Sequence, residues 1–429
     1  MAISQRTLLR AIPWLALSAC AAPDPEGDPG AVCGLQPSAE VVQGALVKLP
    51  PGASVEVEHP QARVVRDDDE GVWLRAPFDV GEHPLRVTCA GGEARVTLRV
   101  TALTFEPLLA WEGEPQGREY FSWWSDDSSD RLFLYGGFVY EPAQFTPNQD
   151  LFALDLTRRT WSQVDLVGEN LPLPGHRVVR HEGITWAFGG ATVDEQGLTT
   201  RPALGTFEGT GDAMTFLPLD ADGMPGSYTG FVFFDPVRQA LTSVCGADTV
   251  SLGVHCKVHR RGDDGGWTEV VITGAEPPGR YGFHAAYDPL HDRVVVFGGQ
   301  VGPANLDIGG DTWALELAAE GGPRWTELFV DDDTAAPARR NGAYVYDPIN
   351  HALLVWGGTP NGSTASPGLD VLTLDEGAER WHHVDSGAVP PRASGQGVFH
   401  AASNSVLWGM GNSTAGIYTD VWAMPVVAR

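Results

Sequence analysis

Short apolar runs recur along most of this chain, each closed by glycines and each separated from the next by polar turns. The clearest copy reads GFHAAYDPLHDRVVVFGG from Gly282, then DTWALEL from Asp311, then RWTEL from Arg324. Apolar stretches of this length, rich in β-branched and aromatic residues and bounded by turn residues, are the signature of strands. The pattern predicts a strand, a tight turn, a second strand ending in a glycine pair, a third strand, and a fourth opening on Trp. A unit of that size cannot bury its own apolar faces, so copies must stack on one another.

Six glycine marks end the second strands: Tyr135-Gly136-Gly137, Phe188-Gly189-Gly190, Cys245-Gly246-Ala247, Phe297-Gly298-Gly299, Trp356-Gly357-Gly358 and Trp408-Gly409-Met410-Gly411. Counted from the first glycine, they are 53, 57, 52, 59 and 52 residues apart. Trp161, Trp267, Trp325 and Trp381 open fourth strands, with Phe216 in the corresponding place of the second repeat. Phe234-Asp235-Pro236, Tyr287-Asp288-Pro289 and Tyr346-Asp347-Pro348 mark the turn between first and second strands. As a set, these marks over roughly residues 103–429 resemble kelch repeats. The resemblance implies an all-β fold, a six-bladed kelch-type β-propeller over residues 102–429. After the sixth mark, Asp420–Met424 supplies a third strand and the chain ends near Arg429, while Thr104–Leu108 reads as a fourth strand lacking the other three. Residues 103–109 are therefore expected to complete the sixth blade, with Phe105 where other copies have Trp. That closes the ring and removes its open edge.

Upstream, Leu85, Val87 and Cys89 alternate with polar residues, as do Val96, Leu98 and Val100, around Ala90-Gly91-Gly92. This is a hairpin with one buried face. Val55 and Val57 alternate too, and Trp73 is expected in the core. Residues 33–101 resemble, in size and pattern, the bacterial immunoglobulin-like β-sandwiches that act as spacers. Residues 1–19 read as a secretory leader, with Arg6 and Arg10 ahead of an apolar stretch from Leu8 to Leu17 that is too short to span a bilayer. Leu17-Ser18-Ala19-Cys20 resembles a bacterial lipobox, which implies lipid modification at Cys20 and a polar, Pro-rich tether over residues 20–32. Ala21, in place of an Asp that would favour the inner membrane, implies the outer membrane. The other four cysteines suit an oxidising compartment, as two local disulfides, Cys33 with Cys89 and Cys245 with Cys256.

Composition narrows the partners. The chain holds 52 Gly and 32 Pro, as many short strands require, and 28 Lys+Arg against 55 Asp+Glu, a net charge of −27. Such a charge repels nucleic-acid phosphates and anionic lipid surfaces, leaving the lipid as the membrane contact. The acids cluster in short runs, Asp67-Asp68-Asp69-Glu70 and Asp331-Asp332-Asp333, which read as solvated loops without a complete calcium loop.

The connector into each innermost strand repeatedly delivers a base: Arg118, Arg177, Arg280, Arg339 with Arg340, and Arg392, with Tyr228 in the third repeat. In kelch propellers this segment leads toward the central channel, so the resemblance implies that these side chains ring one mouth of it. Two readings stay open: a pocket for an anionic ligand, or arginines that each pair with an acid and fix the stack. Tyr120, Tyr281, His284 and Asn341 lie near the same strand starts. Cys245, His255, Cys256 and His259 look like zinc ligands, but residues 255 and 259 of a strand face away from 256, so the disulfide is expected and no metal. His382-His383 faces both sides of a strand as surface decoration. The galactose oxidase-like kelch enzymes need a Tyr–Cys cross-link, a second Tyr and two His, a set this chain does not offer. Sialic acid mutarotases are also kelch propellers, but no acid/base pair stands out. The expectation is a monomeric, lipid-anchored binding protein with a protein, acidic or carbohydrate ligand and no cofactor; a carbohydrate-active enzyme is the alternative.

Overall fold

A computed structural model describes residues 32–427 apart from 58, 69–70, 109–113, 127, 142–143, 170–172, 195–196, 201–202, 248–252, 303–306, 329–335 and 388. The leader, Cys20, most of the tether, Asp69, Glu70 and Asp331 to Asp333 lie outside the described residues. Among the described residues no helix is long and apolar enough to cross a membrane.

The N-terminal strands make two sheets. One orders Ser38–Val42, Gly92–Thr101, Gly81–Cys89 and Ser54–Val57; the other orders Leu46–Leu49, Gly71–Arg75 and Arg63–Asp68. Leu85, Val87, Val96 and Leu98 project inward with Val47 and Leu74 into one apolar core. Cys33 is bonded to Cys89, which pins the first residues to the long hairpin. Trp73 is buried, but outside that core. Lys48 and Arg66 lie over its ring, 5.1 and 5.0 Å from the centroid, so two cations help to cover it.

Six four-stranded antiparallel blades follow among the described residues. Their innermost strands are Ser122–Asp126, Arg177–His181, Phe231–Asp235, His284–Asp288, Ala343–Asp347 and Gln396–His400. Second strands such as Arg293–Phe297 and Ala352–Trp356 are buried along their whole length, because both faces meet neighbouring blades. Trp267 of the third blade reaches Phe188 of the second at 5.2 Å, and Trp381 of the fifth reaches Phe297 of the fourth at 4.5 Å. In the sixth blade, Val421–Pro425 is flanked on its outer side by Glu106–Leu108, with Leu108 opposite Val421. Phe105 stacks on Trp408 at 6.0 Å. The outer edges of the first two blades also join, Asp165–Gly168 running parallel to Ala213–Phe216, which leaves no free edge there.

The turns between first and second strands share one device. Asp235, Asp288 and Asp347 each accept the backbone N–H groups two and three residues on, at 2.9 to 3.3 Å. At the other end of the blades, the paired positions with positive φ are 136–137, 189–190, 245–246, 298–299, 357–358 and 410–411. In the third and sixth blades the pair is thus Cys245-Gly246 and Met410-Gly411, one residue away from the register that counting glycines gives. Backbone conformation, not side-chain identity, sets the repeat. Cys245, at φ 51°, is bonded to Cys256 across the hairpin.

The N-terminal sheets dock on the fifth blade at the end away from the glycine turns. Arg75 is 2% exposed and grips Asp375 through Nε and Nη2 at 2.7 and 2.5 Å. Its Nη1 donates to the carbonyls of Gly44 and Asn350. Arg63 reaches the same aspartate at 2.9 Å. Phe78 stacks on His382 at 3.8 Å, so that histidine is an interdomain contact rather than surface decoration; burial lowers its pKa to about 4.

Candidate functional site

Four of the seven residues expected to ring the mouth turn inward instead. Arg118, Arg280, Arg339 and Arg392 are each at most 1% exposed and make one repeated set of bonds. Nε donates to the carbonyl two residues back, at Gln116, Pro278, Pro337 and Pro390. Nη1 donates to the carbonyl of the glycine turn, at Gly136, Gly298, Gly357 and Met410. The rest of the fork meets an aspartate of the same blade: Asp311 at 2.9 and 2.8 Å, Asp370, and Asp420. In the first blade Asn148 takes that place, with Asp150 behind it. A guanidinium carries five donors, and here they tie the connector, the glycine turn and the third strand together. These four arginines therefore hold the blade and do not line an open mouth.

The other three occupy different registers. The third blade has Ser227 in the arginine slot, shown by the shared inter-blade bond: the second turn residue donates to the slot carbonyl in Gly190 to Ser227, Gly299 to Arg339, Gly358 to Arg392 and Gly411 to Arg118. The second blade has Leu173 there, two residues before the positive-φ Gly175 as Ser227 is before Thr229. Arg177 thus lies four residues past the slot, at the start of the innermost strand. Tyr228 and Arg340 lie one residue past it.

Two residues past the slot comes a position with no obvious mark in the sequence. It is Tyr120, Gly175, Thr229, Gly282, Asn341 and Ser394, and all six have φ between 53° and 78°. Their backbones bond in series around the axis: Gly175 N–H to Tyr120 O (2.7 Å), Thr229 N–H to Gly175 O (3.1 Å), Asn341 N–H to Gly282 O (2.7 Å) and Ser394 N–H to Asn341 O (2.7 Å). Gly282 N–H reaches Thr229 Oγ1 at 3.0 Å. The result is a girdle around the channel. Asn341 Nδ2 donates to the Tyr120 hydroxyl at 3.1 Å, linking two of its members by their side chains.

On the mouth side of the girdle is a cavity of about 530 Å³ over the fifth, sixth and first blades. Its floor holds Glu119, Tyr120, Arg340, Asn341, Ser394 and Asn412. Its walls are the loops from Thr359 and from Asn412, lined by Ser, Thr, Asn, Gly and Ala with Ile417, and with no charged residue over 359–368 or 412–418. Tyr120 on the floor packs against the buried Tyr228, ring centroids 5.5 Å apart. Glu119 is 6% exposed and accepts hydrogen bonds from Asn412 Nδ2 and Ser394; burial pushes its carboxyl up to about 7. Burial and the Glu119 charge push the Tyr120 hydroxyl up to about 12. Arg340 donates Nη1 to the Tyr281 hydroxyl at 3.0 Å and to Gln300 Oε1. Its Nε is buried with no hydrogen-bond partner, and among the described residues it has no carboxylate partner. His284 does not line the cavity. It is fully buried, takes the Gly342 N–H on Nε2 at 2.9 Å, and is held neutral by burial with a pKa of about 3.

Asp288, His291 and His351 gather as metal ligands would, with ligand atoms within 4.8 Å. Yet the carboxylate lies between the two imidazoles, 2.8 Å from each, and Arg293 Nε shares one of its oxygens at 2.9 Å. A guanidinium in that shell opposes a divalent ion, and the network is complete without one. Cys245 and Cys256 are consumed by their disulfide, leaving His255 and His259 without thiolate companions.

Comparison with known proteins fits this geometry. Residues 254–429 match the family model described as the KLHDC2/KLHL20/DRC7 Kelch-repeats domain. The chain is also similar to a solved structure titled "Structure of YjhT", with a TM-score of 0.52 and 12% identity over 72% of this chain and 95% of that one. The fold is a kelch-repeat β-propeller, a module that in general binds or scaffolds partners.

Proposed function

We propose that this is a secreted binding protein of the bacterial envelope, lipid-anchored to the outer membrane through Cys20, whose propeller mouth takes a carboxylate-bearing, hydroxyl-rich ligand such as an acidic sugar. The observation that carries the reading is Arg340. Three of the four arginines in the repeat slot meet an aspartate, and the fourth has Asn148 with Asp150 behind it, whereas Arg340 meets only neutral oxygens and keeps Nε without a partner in the floor of the cavity. In a chain of net charge −27, an unpaired guanidinium in a pocket is a place built for an anion. The neutral Ser, Thr and Asn of the walls suit hydroxyl groups, and Tyr120 with Ile417 suits the apolar face of a sugar ring. The acidic end of a partner protein would satisfy the same floor.

A glycan array followed by calorimetry tests this, with an acidic peptide library beside it. Arg340→Ala is expected to weaken binding roughly 30-fold, about 2 kcal/mol, with an unchanged melting temperature. Arg280→Ala should instead lower the melting temperature and leave the affinity of the folded fraction intact. Equal affinity of wild type and Arg340→Ala for every acidic ligand found would overturn the reading.

Glu119 favours one second reading. A carboxyl raised to about 7 beside the Tyr120 hydroxyl is equipped for general acid–base work on a bound sugar. Faster interconversion of sugar anomers with wild type than with Glu119→Gln, followed by NMR, would support an enzyme over a receptor.

A further inference from the structure

Below the girdle the axial channel narrows to a second, much smaller cavity of about 20 Å³, bordered by Tyr120, Arg177, Thr229, Asn341, Ser394 and Gln396. That is room for one water-sized particle, too little for a carboxylate-bearing molecule. Arg177 dominates it electrically. At the same strand position the other blades carry Ser122, Phe231, His284, Ala343 and Gln396, so no other blade puts a cation there. Its Nε donates to Gly230 O at 3.0 Å and its Nη1 to His176 O at 3.4 Å. Two of its five donors thus meet a protein acceptor; among the described residues the other three meet none, and no carboxylate lies within ion-pair distance. The slot arginines of the same ring are instead compensated, by Asp311, Asp370 and Asp420 and, in the first blade, by Asn148 with Asp150 behind it. The remaining lining offers neutral groups that can donate: the Gln396 amide and the Thr229 hydroxyl, whose oxygen already accepts the Gly282 N–H.

We propose that a single halide-sized anion, chloride in physiological media, occupies this cavity and completes the coordination of Arg177. Its size excludes the mouth ligand, and the site does not depend on how the mouth is used. The anion would neutralise Arg177 and brace the girdle from beneath, through side chains that also form the mouth floor. Chloride is thus a structural ligand of the ring.

The test is thermal unfolding of the whole protein at pH 7 and constant ionic strength, with sodium gluconate exchanged stepwise for sodium chloride. Wild type is expected to show a saturable rise in Tm of about 2–4 °C, reproduced by bromide. Arg177→Gln should abolish that response, and Arg340→Ala should retain it. A flat response in wild type, or an undiminished response in Arg177→Gln, overturns the proposal. If Arg177→Gln does not fold, crystals of wild type soaked in bromide decide: an anomalous peak within hydrogen-bond distance of the Arg177 guanidinium supports the site, and a water there refutes it.

Discussion

At the scale of single residues, one amino acid does two jobs according to register. Arg339 and Arg340 are neighbours in sequence. Arg339 is enclosed by Pro337 O, Gly357 O and Asp370, while Arg340 reaches the mouth. Alternation along an extended chain sends them to opposite sides. The difference is invisible in composition, because both are cations in a repeated connector. Glu119 shows how burial sets chemistry. Its carboxyl is raised to about 7 from an ordinary 4.5, so the folded protein holds a proton that the unfolded chain gives up. Stability from this group is present at low pH and falls as pH rises from about 4.5 to 7, then levels. The loss has an upper bound of about 3 kcal/mol. Asp347, raised to about 6 by burial, acts in the same direction. Glu119→Gln removes the Glu119 contribution, so its Tm should gain on wild type between pH 5 and pH 8. Parallel pH profiles of the two proteins would refute this.

At the scale of elements, the blade was legible because its chemistry is local. A second strand buried on both faces must be apolar throughout, and a turn that needs two backbone N–H acceptors asks for Asp. The glycine count slipped by one in two blades because Cys245 and Met410 adopt the conformation that glycine elsewhere makes easy. The sixth blade is different in kind, since its outer strand comes from the far end of the sequence. Pro107 sits there opposite Trp422, acceptable because an outermost strand has an unpaired side. Phe105 stacks on Trp408 from that strand. Phe105→Ala is expected to cost about 2 kcal/mol in urea unfolding, since the ring is only partly buried. An unchanged midpoint would mean that the segment contributes little to closing the ring.

At the scale of the whole molecule, the N-terminal sheets are fastened to the propeller rather than strung from it. Arg75 bridges Asp375, Gly44 O and Asn350 O with almost no exposure, and Arg63 shares the aspartate. This contact is at the blade ends opposite the glycine turns, so the N-terminal sheets do not cover the mouth cavity. Arg75→Ala leaves Asp375 buried and half-paired, a loss of about 3 kcal/mol concentrated at one interface. Calorimetry is then expected to resolve two transitions in the variant and one in wild type. A single transition in the variant would show that the two parts unfold as one unit without the bridge.

By itself the sequence determined the fold class: strand length, glycine spacing and the Trp plates are properties of short segments, and stacking them into a kelch propeller follows from their unburied faces. The cavity was decided only in three dimensions. Glu119, Arg340 and Asn412 come from three blades and meet because the girdle draws their connectors to one axis. Which arginine is enclosed and which is left open depends on the acid standing across the turn, and that pairing exists only once the strands are in register.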